Sequence, residues 1–345
     1  MSERLADWTT LRLGGPVDSF IQASTRDELY DAVAARDDAG EPVLVLGGGS
    51  NLVVADDGFP GAVVQVASVG VEVATAADSA DGADAVEVTV ESGESWDRFV
   101  AWAVSEGWVG VEALAGIPGS VGAVPIQNVG AYGQEVSQTL VAVHCYDRRE
   151  RRRATLAAAD CDFGYRTSLF KKHPGRYVVG AVNFRFSLGT SGAPVEYDQL
   201  ARALDVDLGQ QAPASDVRRA VLRLRSGKGM VLDPSDHDTW SAGSFFTNPV
   251  VTASAVPEGA PAWPHRDGQV KTSAAWLIDQ AGFGKGYGND RVSLSTKHTL
   301  ALTNRGSATT ADLVALAAEL RAGVRERFGL TLQPEPTLVN CALPD

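Results

Sequence analysis

Basic residues are scarce in this chain: 30 Lys and Arg stand against 43 Asp and Glu, for a formal charge of −13 and a pI near 4.9. That balance argues against a general nucleic-acid binder, whose affinity comes from many cationic contacts to phosphate. Cysteine is rarer still. Cys145, Cys161 and Cys341 are odd in number, far apart and in no metal-like spacing, so neither a disulfide framework nor a structural zinc is expected. The histidines, His144, His173, His237, His265 and His298, show no metal spacing either. No run approaches the roughly 18 apolar residues of a membrane span, and residues 1–10 lack the basic and apolar stretches of a signal peptide. A reducing, cytoplasmic setting is the expectation. With 44% hydrophobic residues over 345 positions, the chain has core-forming content for two or three domains.

What is abundant is glycine. Average usage of roughly 7% would give about 24, whereas the chain carries 36, of which 18 lie in the first 133 residues. Around them the pattern mixes helices and short strands. Ser24–Glu28 offers a cap for a helix ending near Gly40, and Pro42–Leu46, Leu52–Val54, Ala62–Val66 and Val86–Val90 read as strands. Ser95 starts a helix reaching about Glu106. The middle, with stretches at Leu140–Tyr146, Arg152–Leu156 and Val178–Phe186, reads as a largely antiparallel sheet. Asp147–Arg153, with five arginines, reads as a solvated hairpin turn, and Leu208–Ser215 as a linker. Beyond it Ser215 caps a helix with Val217, Ala220, Val221 and Leu224 on its apolar face, and Thr309–Phe328 is the last helix, stopped by Gly329.

Two glycine clusters carry chemistry. Gly47-Gly48-Gly49-Ser50-Asn51 follows a strand, and glycine lets successive N–H groups approach one oxyanion closely. A tight hairpin accounts for it equally well. The third glycine of the dinucleotide fingerprint is missing, Leu52 standing in its place, and no Walker lysine follows. The second cluster runs from Gly116-Ile117-Pro118-Gly119-Ser120-Val121-Gly122 into Gln127-Asn128-Val129-Gly130-Ala131-Tyr132-Gly133. Two backbone-lined loops suit a long ligand with a diphosphate in its middle and a flat ring at one end.

These loops occur with Thr10–Pro16, the segment Gly164-Tyr165-Arg166-Thr167-Ser168-Leu169-Phe170-Lys171, Gly243-Ser244-Phe245-Phe246-Thr247-Asn248-Pro249, Ala275–Gln280 and Pro334-Glu335-Pro336. In that order, over residues 8 to 340, the chain resembles the UDP-N-acetylenolpyruvoylglucosamine reductase (MurB) family. The glycine loop at 47–51 is shared with the wider group of FAD enzymes resembling vanillyl-alcohol oxidase. The resemblance implies an α+β, three-domain architecture: a two-part FAD-binding region of the vanillyl-alcohol-oxidase type and an α+β substrate-binding domain. It divides the chain into 1–68, 69–212 and 213–335, with 336–345 packing back on the second part. It also implies non-covalent FAD, NADPH as hydride donor, a monomer, and reduction of UDP-N-acetyl-3-O-(1-carboxyvinyl)glucosamine to UDP-N-acetylmuramate in peptidoglycan synthesis. Covalent flavin is not expected, since no histidine precedes His144 and no cysteine precedes Cys145. Ala123-Val124 departs from relatives that place small hydroxyl residues near the flavin.

Hydride addition at the terminal carbon of an enolpyruvyl group builds negative charge on the carbon alpha to the carboxylate. The site then needs stabilisation of that charge and a neutral proton donor. The resemblance makes Ser244 the donor and Arg166 with Glu335 the stabilising pair. It assigns Gly47, Gly48, Gly49, Ser50, Asn51, Gly116, Gly119, Ser120 and Gly130 to the cofactor, and Tyr132, Tyr197, Lys228, Asn248 and Gln280 to the substrate or nicotinamide. Read from the residues alone, Ser244 serves as well as a turn hydroxyl and Arg166 as a surface ion pair. Glu335 is held on a stiff support by a proline on each side. Arg218, Arg219, Arg223, Arg225 and Lys228 form a local cationic stretch in an acidic chain, with Arg218 and Arg219 read as a solvated face. Two other readings stand beside the reductase: an FAD-linked oxidase of a small alcohol or hydroxy acid, and a sugar-nucleotide-binding protein without flavin.

Overall fold

The structure, a computed structural model, describes residues 3–76 and 85–344. Contacts gather the chain into two units. One comprises Asp18–Gly48 and Pro60–Ser226; the other comprises Met1–Val17, Gly49–Phe59 and Gly227–Asp345. Each mixes helix and sheet, in keeping with the α+β class.

In the first unit, helix Arg26–Asp38 starts where the sequence places its cap, Thr25 Oγ1 accepting from Glu28 N at 3.1 Å. A small sheet runs in the order Val17–Ala23, Phe59–Val66, Val43–Leu46, and its last strand delivers Gly47 and Gly48 at its end. A larger sheet runs Arg152–Ala157, Leu140–Asp147, Tyr177–Leu188, Ala85–Glu91, Val71–Ala76, with every neighbouring pair antiparallel. Its register sets Val182 opposite both Val90 and Val143. These residues join Phe184 and Phe186 in a core with Trp96 and Phe99 of helix Trp96–Ser105. Each such side chain contributes roughly 1.5–3 kcal/mol on leaving water. The arginines around the 147–153 hairpin lie against the first helix, with Arg148, Arg151 and Arg153 paired to Asp37, Asp38 and Asp27.

Residues 208–215 are not the expected linker. Gly192 N donates to Ala212 O at 2.8 Å, Val195 N to Gln210 O at 2.9 Å and Ala214 N to Thr190 O at 2.9 Å, with Ala212 and Ala214 buried. The polar composition belongs to a segment whose backbone is paired with 190–195. The helix here spans Ala214–Gly227, so Ser215 sits inside its first turn, and Pro213 O accepts from Asp216 N and Val217 N. The expected boundaries after 68 and after 212 both fall within this first unit.

The second unit contains helices Ala274–Gln280 and Thr310–Phe328, the antiparallel sheet Val250–Thr252, Gln269–Thr272, Ala262–Pro264, and the hairpin Val292–Leu294 with Leu302–Asn304. Its core joins Leu11, Leu13 and Val53 to Phe245, Phe246, Leu277, Leu313 and Leu320. The last helix begins with a reciprocal Thr309–Asp312 capping box and ends at Gly329 with φ 68°. The C-terminal segment pairs within this second unit: Thr337–Val339 runs parallel to Leu52–Val54, and Ala55 N donates to Val339 O at 3.0 Å. The backbone edge left by Leu52–Val54 is the one this segment satisfies.

Candidate functional site

In the first unit the two glycine clusters, far apart in sequence, meet. A Cβ on Gly48 would stand 2.7 Å from Gly119 Cα, and one on Gly47 would stand 2.7 Å from Ser120 Oγ. The close approach is possible only because neither position carries a side chain. The amides of Gly48, Gly119 and Ser120 have no acceptor among the described residues. Ser120 is buried, and Ser92 Oγ, buried without a partner, lies against Gly122. Bare backbone donors beside buried hydroxyls form a cradle suited to a diphosphate held without side-chain charge, so these residues fit FAD. Gly116 differs: its amide donates to Asp97 Oδ1 at 2.6 Å, which anchors the loop and uses that donor within the protein. Of the first cluster, Gly49, Ser50 and Asn51 belong to the second unit.

Arg166 also lies in the first unit, on a tight turn closed by Gly164 N to Thr167 O at 3.1 Å and Thr167 N to Gly164 O at 3.2 Å. Its backbone is left-handed, φ 52°, an uncommon conformation for a residue with a side chain. Its Nη2 donates to Gly130 O at 2.8 Å, placing the guanidinium beside the second glycine cluster. Tyr132 and Tyr197 meet edge-to-face with ring centroids 5.5 Å apart. Tyr197, half exposed, stands at the start of helix Asp198–Leu204. Arg225 completes the group. Burial lowers its guanidinium from 12.5 to about 10, the Arg166 charge adds to the fall, and Tyr132 and Asp97 oppose it. Burial raises the Tyr132 hydroxyl, Arg225 opposes this and Tyr197 adds to it. Two guanidiniums within electrostatic reach in partly desolvated surroundings favour an anion as their shared partner. The pair concentrates positive charge locally in a chain of formal charge −13.

In the second unit, Ser244 follows Gly243 and precedes Phe245 and Phe246, both about 1% exposed and edge-to-face at 5.1 Å. Phe246 bridges Pro334, Glu335 N donates to Phe245 O at 2.8 Å, and Thr247 N donates to Gln333 O at 3.0 Å. Ser244 and Glu335, both half-buried, therefore lie on adjoining extended segments. Two residues on, Thr337 N donates to Asn51 O at 2.9 Å, which ties Glu335 to the end of the first glycine cluster. Lys228 stands half-buried directly after helix Ala214–Gly227. Asn248 Oδ1 accepts from Ala274 N at 2.9 Å, and so sits at the start of the helix whose last residue is the exposed Gln280. At 1.5 Å per residue these two expected contacts are about 9 Å apart along the axis.

Sequence reasoning passed over Ser92, Asn128 and Glu112. Glu112, fully buried, accepts from Gly110 N at 2.7 Å, Gln134 Nε2 at 2.9 Å and Ala193 N at 2.6 Å. It thereby ties the Tyr132 segment to the segment leading to Tyr197. Ser92 and Glu112 lie outside every motif, and Asn128, although it stands in the second glycine cluster, takes its role from Glu135, Ser137 and Gly164, which reach it only on folding. The described residues hold no group of three or more His, Cys, Asp or Glu side chains able to bind a metal, and no helix long and apolar enough to cross a membrane.

Residues 233–339 match the family model of the UDP-N-acetylenolpyruvoylglucosamine reductase C-terminal domain, and 17–151 match an FAD binding domain. The UDP-N-acetylenolpyruvoylglucosamine reductase of Cutibacterium acnes is 53% identical, with 98% of this chain and 90% of the relative covered. That of Thermobifida fusca is 55% identical over 98% of this chain and 97% of its own. The crystal structure of the enzyme from Thermus caldophilus superposes with a TM-score of 0.63 at 26% identity, over 98% of this chain and 99% of that one. The C-terminal match favours the reductase over the small-alcohol oxidase. With two family models matched and relatives more than 50% identical over nearly the full length of both chains, the chain belongs to the UDP-N-acetylenolpyruvoylglucosamine reductase (MurB) family.

Proposed function

We propose that this chain uses NADPH to reduce the enolpyruvyl group of UDP-N-acetyl-3-O-(1-carboxyvinyl)glucosamine, giving UDP-N-acetylmuramate for peptidoglycan. FAD, when bound, supplies the hydride relay between NADPH and the enol ether. Gly48, Gly119 and Ser120 would hold its diphosphate through backbone N–H groups. The observation that carries the reading is the seating of Ser244 and Glu335 on adjoining segments, two residues from the contact with Asn51.

The substrate's terminal CH2 gains hydride and becomes CH3, and the electron pair moves to the alpha carbon and into its carboxylate. Arg166 offers that carboxylate a planar fork of N–H donors, and Glu335 supports the same charge if it carries a proton. Ser244 Oγ gives its proton to the alpha carbon, next to two buried phenylalanines that keep water away. Lys228 and Arg225 counter the negative charge of the UDP moiety, Tyr132 and Tyr197 flank it, and Asn248 and Gln280 add polar contacts. We further read the protein as a cytoplasmic monomer. The test is anaerobic mixing of the flavin-loaded protein with NADPH, followed by the enolpyruvyl sugar nucleotide. Bleaching and then recovery of the flavin band with one UDP-N-acetylmuramate formed per cycle is expected. Recovery driven by air alone, with no such product, overturns the proposal.

A further inference from the structure

Segments 126–130 and 164–168 are clamped by three bonds at alternating residues: Ser168 Oγ to Ile126 O at 2.5 Å, Asn128 Nδ2 to Gly164 O at 3.2 Å, and Arg166 Nη2 to Gly130 O at 2.8 Å. The middle bond comes from a side chain about 1% exposed. Its amide orientation is determined by its other partners. Nδ2 also donates to Glu135 Oε2 at 2.7 Å, while Oδ1 accepts from Ser137 N at 3.1 Å. Both donors of the amide are thus engaged, one of them on the carbonyl that opens the turn bearing Arg166. Both residues stand in the left-handed region, Asn128 at φ 47° and Arg166 at φ 52°. A turn held in a sparsely populated conformation keeps it only where neighbouring bonds enforce it. We infer that Asn128 is a positioning residue for Arg166, setting the place of the guanidinium without touching substrate. This inference rests on the charge-stabilising role proposed for Arg166.

Asn128→Asp is the sharp probe. It keeps volume, tolerance of positive φ and the acceptor for Ser137, but replaces both donors with a carboxylate oxygen facing Glu135 and the Gly164 carbonyl. Asn128→Gly, which suits the same φ and introduces no charge, serves if the aspartate variant does not fold. Misplacement of a charge-stabilising group by about 1 Å costs on the order of 100-fold in rate. Asn128→Asp is accordingly expected to slow the product-forming half-reaction about 10- to 100-fold. FAD affinity by fluorescence titration, NADPH-driven bleaching and substrate KM should change less than about threefold. Glu135→Gln added to Asn128→Asp restores that one bond and should recover thermal stability but not the rate. In an Arg166→Ala background, Asn128→Asp should add less than about twofold, because a residue acting through Arg166 has nothing left to act on. Multiplying effects in that background, or a loss confined to FAD affinity, overturns the inference while leaving the role of Arg166 intact. Should Arg166→Ala itself leave the product-forming half-reaction unslowed, the role of Arg166 falls, and the inference with it.

Discussion

Adding one methyl group at Gly48 tests the glycine cradle directly. The new Cβ would lie 2.7 Å from Gly119 Cα and 3.1 Å from Gly119 C, so the nearer contact is 0.7 Å inside the ordinary limit of 3.4 Å. Both obstacles are backbone atoms, and relief requires one loop to move away from the other. Overpacking of this kind costs about 1–3 kcal/mol. If the cost falls on the spacing that the bound diphosphate requires, FAD affinity drops about 5- to 150-fold. Gly47→Ala should be milder, at most about fivefold, because its Cβ meets only the Ser120 hydroxyl at 2.7 Å, which can rotate away, and its next neighbours stand at 3.9 Å. Gly189→Ala is the control. Its Cβ finds Val109 Cγ2 at 3.8 Å, an ordinary contact, and affinity should not change. The assay is FAD titration of deflavinated protein by flavin fluorescence, with thermal denaturation of each apoprotein in parallel. Equal affinities for all three variants, or a larger loss at Gly47 than at Gly48, would refute the cradle. A loss that merely follows apoprotein stability would refute it too.

Three further outcomes are expected. Ser244→Ala should leave NADPH-driven bleaching of the flavin near wild type while slowing product formation by roughly 10²- to 10⁴-fold; an equal fall in both half-reactions, measured by rapid mixing, removes the proton-donor role. Glu112→Leu strands the amides of Gly110 and Ala193, a loss of about 2–5 kcal/mol in urea denaturation, and an unchanged midpoint would mean these donors find other partners. Asp147 is held below the usual carboxylate range by its hydrogen bonds from Arg176, with amides of Glu150 and Arg149 assisting against the opposing effect of burial. A depressed native value stabilises above the unfolded pKa of about 3.9 and the benefit fades as pH falls through the lower native one. Asp147→Asn should therefore melt below wild type at pH 7, with the gap closing below about pH 4; a gap independent of pH contradicts this origin.

Local chemistry made much of the fold legible. Thr25 and Thr309 mark helix starts because their hydroxyls cap the chain a few residues away, and the alternation in 140–186 reports a sheet exposed in part on one face. Leu208–Ser215 misled for the converse reason. Its composition is that of a loop, yet its order comes from bonds to Thr190, Gly192 and Val195, which no local pattern reveals. The pairing of Thr337–Val339 with Leu52–Val54 was equally hidden, since a three-residue strand has no preference for one partner edge over another. At the site, Gly48 announces itself through its run of glycines and Glu335 through the prolines on either side. Asn128 and Glu112 do not, because a buried amide or carboxylate acquires its meaning from groups that arrive only on folding.

The parallel pairing of Leu52–Val54 with Thr337–Val339 has a consequence for synthesis on the ribosome. Cys341 Sγ reaches Val53 O across 288 positions, and in the finished protein Leu52–Val54 has no other strand neighbour among the described residues. During translation the segment carrying Asn51 keeps an open edge until residues 337–339 have been made, whereas the strands of the larger sheet of the first unit are all made by residue 188. Nascent chains that stall before residue 337 would leave the glycine cluster unsupported on that side. Satisfaction of the edge beside Asn51 thus becomes a late event in synthesis, whereas Gly48, Gly119 and Ser120 belong to the unit whose segments are all made by residue 226.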